Sequence, residues 1–217
     1  MKVILPFHDR PNYLRITLAT IKEALRERSD IELYLFNDAS TIAIPKIAKE
    51  IDATIINREK CSGPYRSKTD AIDHIFKSFP EEYVFTLDSD CIVHPNVFSA
   101  VNRMIVDLKD MGIGTVFNTN THKPKSNTSI KTRYIEKNDV GGLGTIVNKN
   151  AWLWYKDKTT NVGPKHKGWD WDMCMWLNTQ EKWKIYCTKK SYVEHIGQSG
   201  SHSGPGCKID KAMRFLE

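Results

Sequence analysis

Two carboxylates follow a buried strand in the segment EYVFTLDSDCIV, residues 82–93. Asp88 and Asp90 stand two positions apart, and residues i and i+2 of an extended chain project to the same side. Carboxylates crowded at the end of a core strand repel each other and lose hydration, so we expect a cation to neutralise them. Oxygen ligands suit Mg²⁺ and Mn²⁺, which commonly keep substrate phosphates and waters as further ligands. The alternative is a solvated turn in which an Asp caps the following helix.

Two further segments could bind a nucleotide. Asp38, in LFNDAST, follows the second predicted strand and could accept hydrogen bonds from a base or a sugar, although an Asx turn or a helix N-cap explains it equally well. The segment SGPYRSKTD, residues 62–70, is a Gly/Pro turn that leads into a helix. Its free N–H groups, with Arg66 and Lys68, suit a diphosphate or a base edge, and a solvated basic turn is the alternative.

Asp170 and Asp172, in GWDWD, open a predicted helix and are candidates for a general base. Acidic residues favour helix N-termini, which gives both residues a purely structural alternative. A carboxylate flanked by Trp169 and Trp171 is partly desolvated, so its pKa should rise toward a range useful for proton abstraction. The two Asp residues flank opposite sides of the apolar helix face, and their spacing does not choose between them.

His195 ends the apolar run SYVEHI, where a neutral imidazole could complete a metal shell begun by the carboxylates. A packed or hydrogen-bonded histidine is the structural alternative. His202, in the Gly/Ser segment 197–206, and His8 are further candidates.

The elements that must position these residues alternate between strand and helix in the first half of the chain. Apolar runs predict five strands, and apolar residues at helical spacing predict the helices between them. The predicted strands are KVILPF, IELYLFND, ATIINRE, YVFTLD and GIGTVFNTN. This alternation predicts a largely parallel sheet with helices on both faces, in which ligands bind beyond the carboxyl ends of the strands.

The second half of the chain is less regular. Residues 121–139 are polar and basic and predict a long surface loop. VGGLGTIVN predicts a strand with a glycine-rich entry, GWDWDMCMWL begins a helix, and KIYC and SYVEHI predict short strands. Because no repeat or shift in composition marks a boundary, we expect one domain over residues 1–217, either a monomer or one domain of a longer chain.

The composition is that of an ordinary globular protein, with 40% hydrophobic and 27% charged residues. The net charge of +6 fits an anionic ligand without requiring one. Five dispersed cysteines without a CxxC pair predict reduced thiols and a cytoplasmic protein. No apolar run reaches about 18 residues, so we expect neither a signal peptide nor a membrane span. The basic stretch KPKSNTSIKTR is too short and loop-like to predict a nucleic-acid partner.

Taken in order, these segments resemble the GT-A-fold glycosyltransferases of the family 2 type. The resemblance covers residues 1 to about 203 and rests on LPFHDRPNYLRITL, NDAST, GPYRSKTDAIDHI, LDSD, VGGLGTIV, WDWD and VEHIGQSGS. It implies an α/β, Rossmann-like GT-A domain with a central, mostly parallel sheet flanked by helices. Residues 1–120 would form the nucleotide-binding half, and residues 121–217 an irregular acceptor-binding half.

The resemblance also implies roles for single residues. The residues that would contact a nucleotide-sugar donor are Pro6, Asp38, Arg66, Lys68, Asp88, Ser89, Gly141 and Gly142. The residues that would hold Mn²⁺ or Mg²⁺ are Asp88, Asp90 and His195. Asp170 falls where the family has its catalytic Asp, with Trp169 in place of the usual Glu, and Asp172 is the substitute base.

The function implied by the resemblance is metal-dependent transfer of a hexose or deoxyhexose from a nucleotide-diphosphate sugar, with a UDP-sugar favoured, to a hydroxyl of a glycan or glycoprotein. The segment 197–206 would order as a lid over the diphosphate. A sugar nucleotidyltransferase is one alternative, but its GxGTRL-like signature is replaced here by PFHDRPNYL. A non-catalytic nucleotide-sugar or glycan-binding module is the other, and the presence of Asp88, Asp90 and Asp170 argues against it.

Overall fold

The computed structural model describes residues 1–125, 133–197, 211–213 and 215. The strands are β1 Lys2–Phe7, β2 Glu32–Asn37, β3 Thr54–Asn57, β4 Tyr83–Thr86, β5 Cys91–Val93, β6 Met111–Thr115, β7 Tyr134–Glu136, β8 Thr145–Asn148, β9 Lys184–Thr188 and β10 Val193–His195. The helices are α1 Pro11–Ala24, α2 Lys46–Glu50, α3 Gly63–Ser78, α4 Val97–Asp107, α5 Lys149–Asn161 and α6 Trp169–Leu177.

Local sequence explains the first strand and helix. In β1, Val3, Ile4 and Leu5 are fully buried, as expected for a strand covered on both faces. α1 begins with Pro11, whose fixed φ and missing N–H suit the first helical position. Its buried residues include Leu14, Leu18 and Ile21, at the spacing of one helical face. This pair of elements sets the edge of the sheet at which the candidate site lies.

An eight-stranded sheet runs in the order β3-β2-β1-β4-β8-β6-β9-β7. The pairings β3–β2, β2–β1, β1–β4 and β6–β9 are parallel, as the sequence predicted for the first half. β8 is antiparallel to both of its neighbours, and β7 is antiparallel to β9. The sheet is therefore parallel on the nucleotide side and mixed beyond β4. Because four of its seven pairings are parallel, the expectation of a mostly parallel sheet is confirmed.

Some boundaries and elements differ from the sequence-based expectation. The helix predicted between the second and third strands is short, since α2 covers only Lys46–Glu50. α5 was not predicted, and neither was β5, which follows Asp90 directly and pairs antiparallel with β10. That pairing places His195 opposite Cys91, next to the two carboxylates.

Two buried hydrophobic clusters, one of them packed around α1 and α4 and the other around α3, α5 and α6, hold the helices against the sheet. Within the described residues, no helix is both long and apolar enough to span a membrane.

Candidate functional site

The candidate site lies at the carboxyl ends of the parallel strands. Asp38 follows β2, and Asp88 and Asp90 follow β4, so the topology brings them to one edge of the sheet. Thr17 of α1 fixes the turn that carries the last two. Its fully buried hydroxyl donates to the carbonyl oxygens of Ser89 and Cys91 at 3.0 and 2.6 Å and accepts from the N–H of Cys91 at 3.1 Å.

Asp88 is neutralised by a cation of the chain itself. The Nζ of Lys68 forms an ion pair with Asp88 and donates to the carbonyl oxygen of Gly142 at 2.9 Å. Lys68 is 6% exposed, and a buried ammonium needs such partners because an unpaired charge is costly away from water. Lys68, on α3, therefore ties the end of β4 to the glycine turn that precedes β8.

Asp90 is buried and has two cationic neighbours. The Nη1 of Arg10 donates to its Oδ2 at 2.7 Å, and the Nε2 of His195 lies 3.2 Å from the same oxygen. Burial opposes ionisation of Asp90, but the hydrogen bond from His195 and the charges of His195 and Arg10 outweigh it and lower the pKa. The same hydrogen bond raises the pKa of His195, against the effect of its burial.

The residues predicted to bind a metal ion meet at this edge. Among the residues that the structure describes, no three His, Cys, Asp or Glu side chains form a group that could hold a metal ion. Asp88 is engaged by Lys68, and Asp90 by Arg10 and His195. Two carboxylates and an imidazole nevertheless form a donor set that suits Mn²⁺. Metal binding here would require His195 to release the proton it shares with Asp90.

Asp38 is 1% exposed and is held by the loop that opens α3. It accepts from the N–H and hydroxyl of Ser62 at 3.0 and 2.9 Å and from the N–H of Gly63 at 3.0 Å. Arg58 Nη1 lies 3.5 Å from the same carboxylate. In this arrangement the Asp38 carboxylate organises the turn at residues 61–63. Contact with a base or a ribose would require some of these bonds to be exchanged.

The other residues predicted to contact a donor lie around the same edge. Pro6 is in β1 opposite Phe36 and is partly buried. Arg66 is exposed on the first turns of α3, and Ser89 lies partly buried in the turn held by Thr17. Gly141 lies against His122, because a Cβ there would be 3.1 Å from the Nε2 of His122 and would require a small shift of that ring.

Asp170 lies beside the second glycine of that turn. A Cβ on Gly142 would be 3.2 Å from the Oδ2 of Asp170, so the absence of a side chain lets the carboxylate reach the turn. Burial raises the pKa of Asp170, although hydrogen bonds from the N–H groups of Trp171 and Gly142 and the charge of Lys68 oppose that effect. Gly142 thus lies against the carboxylate of Asp170 and accepts a hydrogen bond from Lys68 through its carbonyl oxygen. These contacts connect Asp170 to the carboxylates after β4.

Asp172 has a different environment, although it is only two residues away. It is completely buried, and it accepts hydrogen bonds from the hydroxyl of Tyr155 and the N–H of His166, both at 2.9 Å. The N–H of Lys165 donates to it as well. All of these contacts join α5 and the loop 165–166 to α6. The geometry therefore favours Asp170 as the candidate base and gives Asp172 a structural role.

Two side chains in the site were not singled out from the sequence. Arg10 was read only as part of the first helix entry, yet it is the closest cation to Asp90. His122 is 4% exposed, forms a hydrogen bond with Asp139 through its Nδ1 and packs edge-on against Trp171 with ring centroids 5.7 Å apart. His122 lies in residues 121–139, which were predicted to form a surface loop. A single histidine in a polar segment does not indicate that its side chain is buried. The predicted lid, residues 197–206, lies outside the described residues from position 198 onward, and so does His202.

Comparison with known proteins gives a family and a fold. A family model described as glycosyl transferase family 2 matches residues 2–166. S. aureus TarS 1-349 in complex with UDP-GlcNAc matches with a TM-score of 0.64 at 16% identity, covering 96% of this chain and 61% of that one. The same protein in complex with UDP matches with a TM-score of 0.59 at 14% identity, covering 88% of this chain and 59% of that one. The chain therefore spans less than two thirds of the solved chains it matches. No curated protein sequence matched it.

Proposed function

The chain belongs to glycosyl transferase family 2, and from that premise we propose that it transfers a hexose or deoxyhexose from a nucleotide-diphosphate sugar to a hydroxyl of a glycan or glycoprotein. One observation carries the proposal. Lys68 and Gly142 link the carboxylates after β4 to Asp170, and this link supports a candidate donor site and a candidate base at one edge of the sheet. The fold match to TarS, whose structures contain UDP-GlcNAc or UDP, supports a UDP-sugar as the donor.

The donor side of the proposal uses the carboxylates and their cations. Asp88, Asp90 and His195 would hold a divalent ion, Mn²⁺ or Mg²⁺, which when bound supplies Lewis-acid stabilisation to a leaving diphosphate. Lys68 places a further positive charge beside Asp88, and the buried environment strengthens its effect on a developing negative charge. Asp38, with Pro6 and Arg66 nearby, would recognise the uracil or the ribose.

The acceptor side of the proposal rests on Asp170. A base must be ionised and must lie next to the hydroxyl that it deprotonates, and a raised pKa makes a carboxylate a stronger base. The raised pKa of Asp170 supports its assignment as the base. Its place beside the Gly141–Gly142 turn supports an acceptor hydroxyl bound next to that turn. In an inverting transfer Asp170 would take the proton from the acceptor hydroxyl. In a retaining transfer the same carboxylate would stabilise the sugar cation.

The first experiment is calorimetric titration of UDP and of GDP into the purified protein, with Mn²⁺ and with EDTA. We expect UDP to bind more tightly when Mn²⁺ is present and Asp90→Ala to abolish the metal-dependent part of the affinity. Asp157→Ala is the matched control, since Asp157 is exposed on α5 and accepts a hydrogen bond from Asn161 of its own helix. Unchanged UDP affinity in Asp90→Ala would contradict the metal assignment. Absence of binding for both nucleotides under both conditions would contradict the proposed donor class.

A further inference from the structure

Arg10 sits on strained backbone at the entrance to α1. Asp9 has φ 53° and Arg10 has φ 58°, two consecutive non-glycine residues in the left-handed region. Such a conformation is unfavourable for residues with a Cβ and persists only where surrounding contacts impose it. Here Ser40 supplies those contacts, because its hydroxyl accepts from the N–H of Asp9 and donates to the Asp9 carboxylate, both at 2.9 Å. The loops after β1 and β2 together therefore hold Arg10 in place.

The guanidinium of Arg10 is only partly satisfied. Its Nη1 donates to Asp90 at 2.7 Å, and its Cζ lies 4.4 Å from the centre of the Tyr13 ring. Its Nη2 is covered and has no hydrogen-bond partner among the described residues. A guanidinium presents several N–H groups in a fixed fork that matches the oxygens of a phosphate. A covered N–H without a partner is unfavourable, so this one points to an acceptor that arrives with a ligand.

The cover over Arg10 is a backbone segment without a side chain. A Cβ on Gly197 would lie 2.9 Å from the Nη2 of Arg10 and 2.1 Å from the Oδ2 of Asp90. The segment is held by the N–H of Ile196, which donates to the carbonyl oxygen of Asp90 at 2.9 Å. An oxyanion that reaches Nη2 must displace the backbone at Gly197. The backbone hydrogen bond from Ile196 to Asp90 holds this segment.

The surroundings favour an anion at this position. α1 starts directly after Arg10, and neither an acidic residue in its first turn nor a side-chain cap offsets the positive end of its dipole from within the helix. The unpartnered Nη2 of Arg10 and the uncapped start of α1 are independent observations, and both favour binding of an anion at this end of the helix.

We propose that Arg10 holds Asp90 with Nη1 and binds a diphosphate oxygen of the donor with Nη2. This inference rests on the proposed function, because it assumes a nucleotide-diphosphate donor at this edge. It assigns Arg10 the part of the diphosphate affinity that does not depend on a metal ion. The uncharged nucleoside gains nothing from Arg10, so the contribution belongs to the diphosphate alone.

The test compares UDP, UMP and uridine by calorimetric titration in EDTA and in Mn²⁺, with wild type, Arg10→Lys and the control Arg15→Lys. Arg15 is exposed on the same helix, so its replacement leaves the site unchanged. Lysine keeps the charge but loses the fork, so we expect Arg10→Lys to weaken UDP binding about tenfold or more in both conditions, with uridine affinity and Arg15→Lys unaffected. UDP affinity equal to that of wild type, or a parallel loss for uridine, would overturn the role of Arg10.

A measurement on the wild-type protein covers the case in which Arg10→Lys fails to fold. With ¹⁵N-labelled arginine, we expect the guanidinium resonances of Arg10 to shift on addition of UDP and to stay in place on addition of uridine. Resonances that ignore UDP while UDP binds would overturn the inference and leave the proposed function standing. If wild type binds neither UDP nor GDP, the donor class itself is wrong and the inference falls with it.

Discussion

Individual carboxylates in the candidate site differ in what surrounds them, and this difference divides their roles. Asp90 is buried among cations, which lower its pKa and keep it ionised. Asp170 is partly buried beside a glycine turn, where the loss of solvent raises its pKa and backbone N–H groups only partly oppose the shift. The proposed donor-side carboxylate and the proposed base are therefore the same residue type in two environments, one that lowers the pKa and one that raises it.

Replacement of Asp170 separates chemistry from binding. We expect Asp170→Asn to keep the UDP affinity of wild type and to lower kcat about 10²- to 10⁴-fold, because the amide cannot accept the proton. Asp172→Asn should instead lower the free energy of unfolding by about 1–3 kcal/mol through the disturbed bonds from Tyr155 and His166. Release of UDP from the donor, with methyl glycosides or water as acceptor, gives kcat. Full activity of Asp170→Asn would move the base to Asp172.

The raised pKa of Asp170 should also affect how the free energy of unfolding depends on pH. Because its pKa is raised above 3.8 in the folded state, the folded chain keeps the Asp170 proton to a higher pH than the unfolded chain does. Between the two pKa values the folded state binds more protons, so the free energy of unfolding falls as the pH rises. We therefore expect Asp170→Asn to be more stable than wild type at pH 7, with a difference that shrinks toward about pH 4. Thermal unfolding at both pH values checks this, and an equal difference at both would speak against a raised pKa.

Among the helices and strands, α1 and the short β5–β10 pair together fix the turn that carries Asp88 and Asp90. Thr17 binds that turn from the α1 side, and the pairing of His195 with Cys91 holds it from the other side. Neither constraint comes from the turn itself, so the geometry of the carboxylates depends on elements far away in the sequence.

Substitution of Thr17 tests whether its hydroxyl holds the turn that carries Asp88 and Asp90. Thr17→Val keeps the shape of the side chain but leaves the carbonyl oxygens of Ser89 and Cys91 and the N–H of Cys91 without their partner. We expect a loss of about 1–3 kcal/mol in the free energy of unfolding and weaker UDP binding by the folded protein. Thr160→Val is the control, since that hydroxyl bonds only within α5. Chemical denaturation and calorimetry measure both effects, and unchanged values for Thr17→Val would show that other contacts suffice to hold the turn.

The sequence predicted the elements whose signals are local. Strands β1, β2, β4 and β6 appear as apolar runs, and α1 and α3 show apolar residues at helical spacing, so their existence follows from short windows. The sequence did not predict β5, because three residues next to two carboxylates are too few to show a strand periodicity. Their pairing partner, β10, lies about 100 positions later in the chain. The choice between Asp170 and Asp172 has the same origin, because Tyr155 and the loop 165–166 decide it through contacts that the spacing of the two residues cannot reveal.

Across the whole molecule, the sheet separates two buried clusters that draw on both halves of the chain. Residues of β1 and β4 alternate between them, so that Val3 lies in one cluster and Ile4 in the other. The α6 helix, which carries Asp170, packs in the second cluster together with α3, which carries Lys68. Because both halves contribute to the same clusters, one domain over residues 1–217 should unfold cooperatively.

One domain should unfold in one transition, and substitutions in either half should move that transition as a whole. Leu18→Ala on α1 and Leu177→Ala on α6 remove fully buried side chains from opposite clusters. Each should cost about 2–5 kcal/mol, which for a chain of this size lowers Tm by roughly 2–4 °C for every 1 kcal/mol. Leu153→Ala, at an exposed position on α5, serves as the control. For each variant, far-ultraviolet circular dichroism and tryptophan fluorescence should report the same unfolding midpoint, lower than that of wild type. Two separate transitions, each moved by only one of the substitutions, would mean that the nucleotide-binding and acceptor-binding halves fold as independent units.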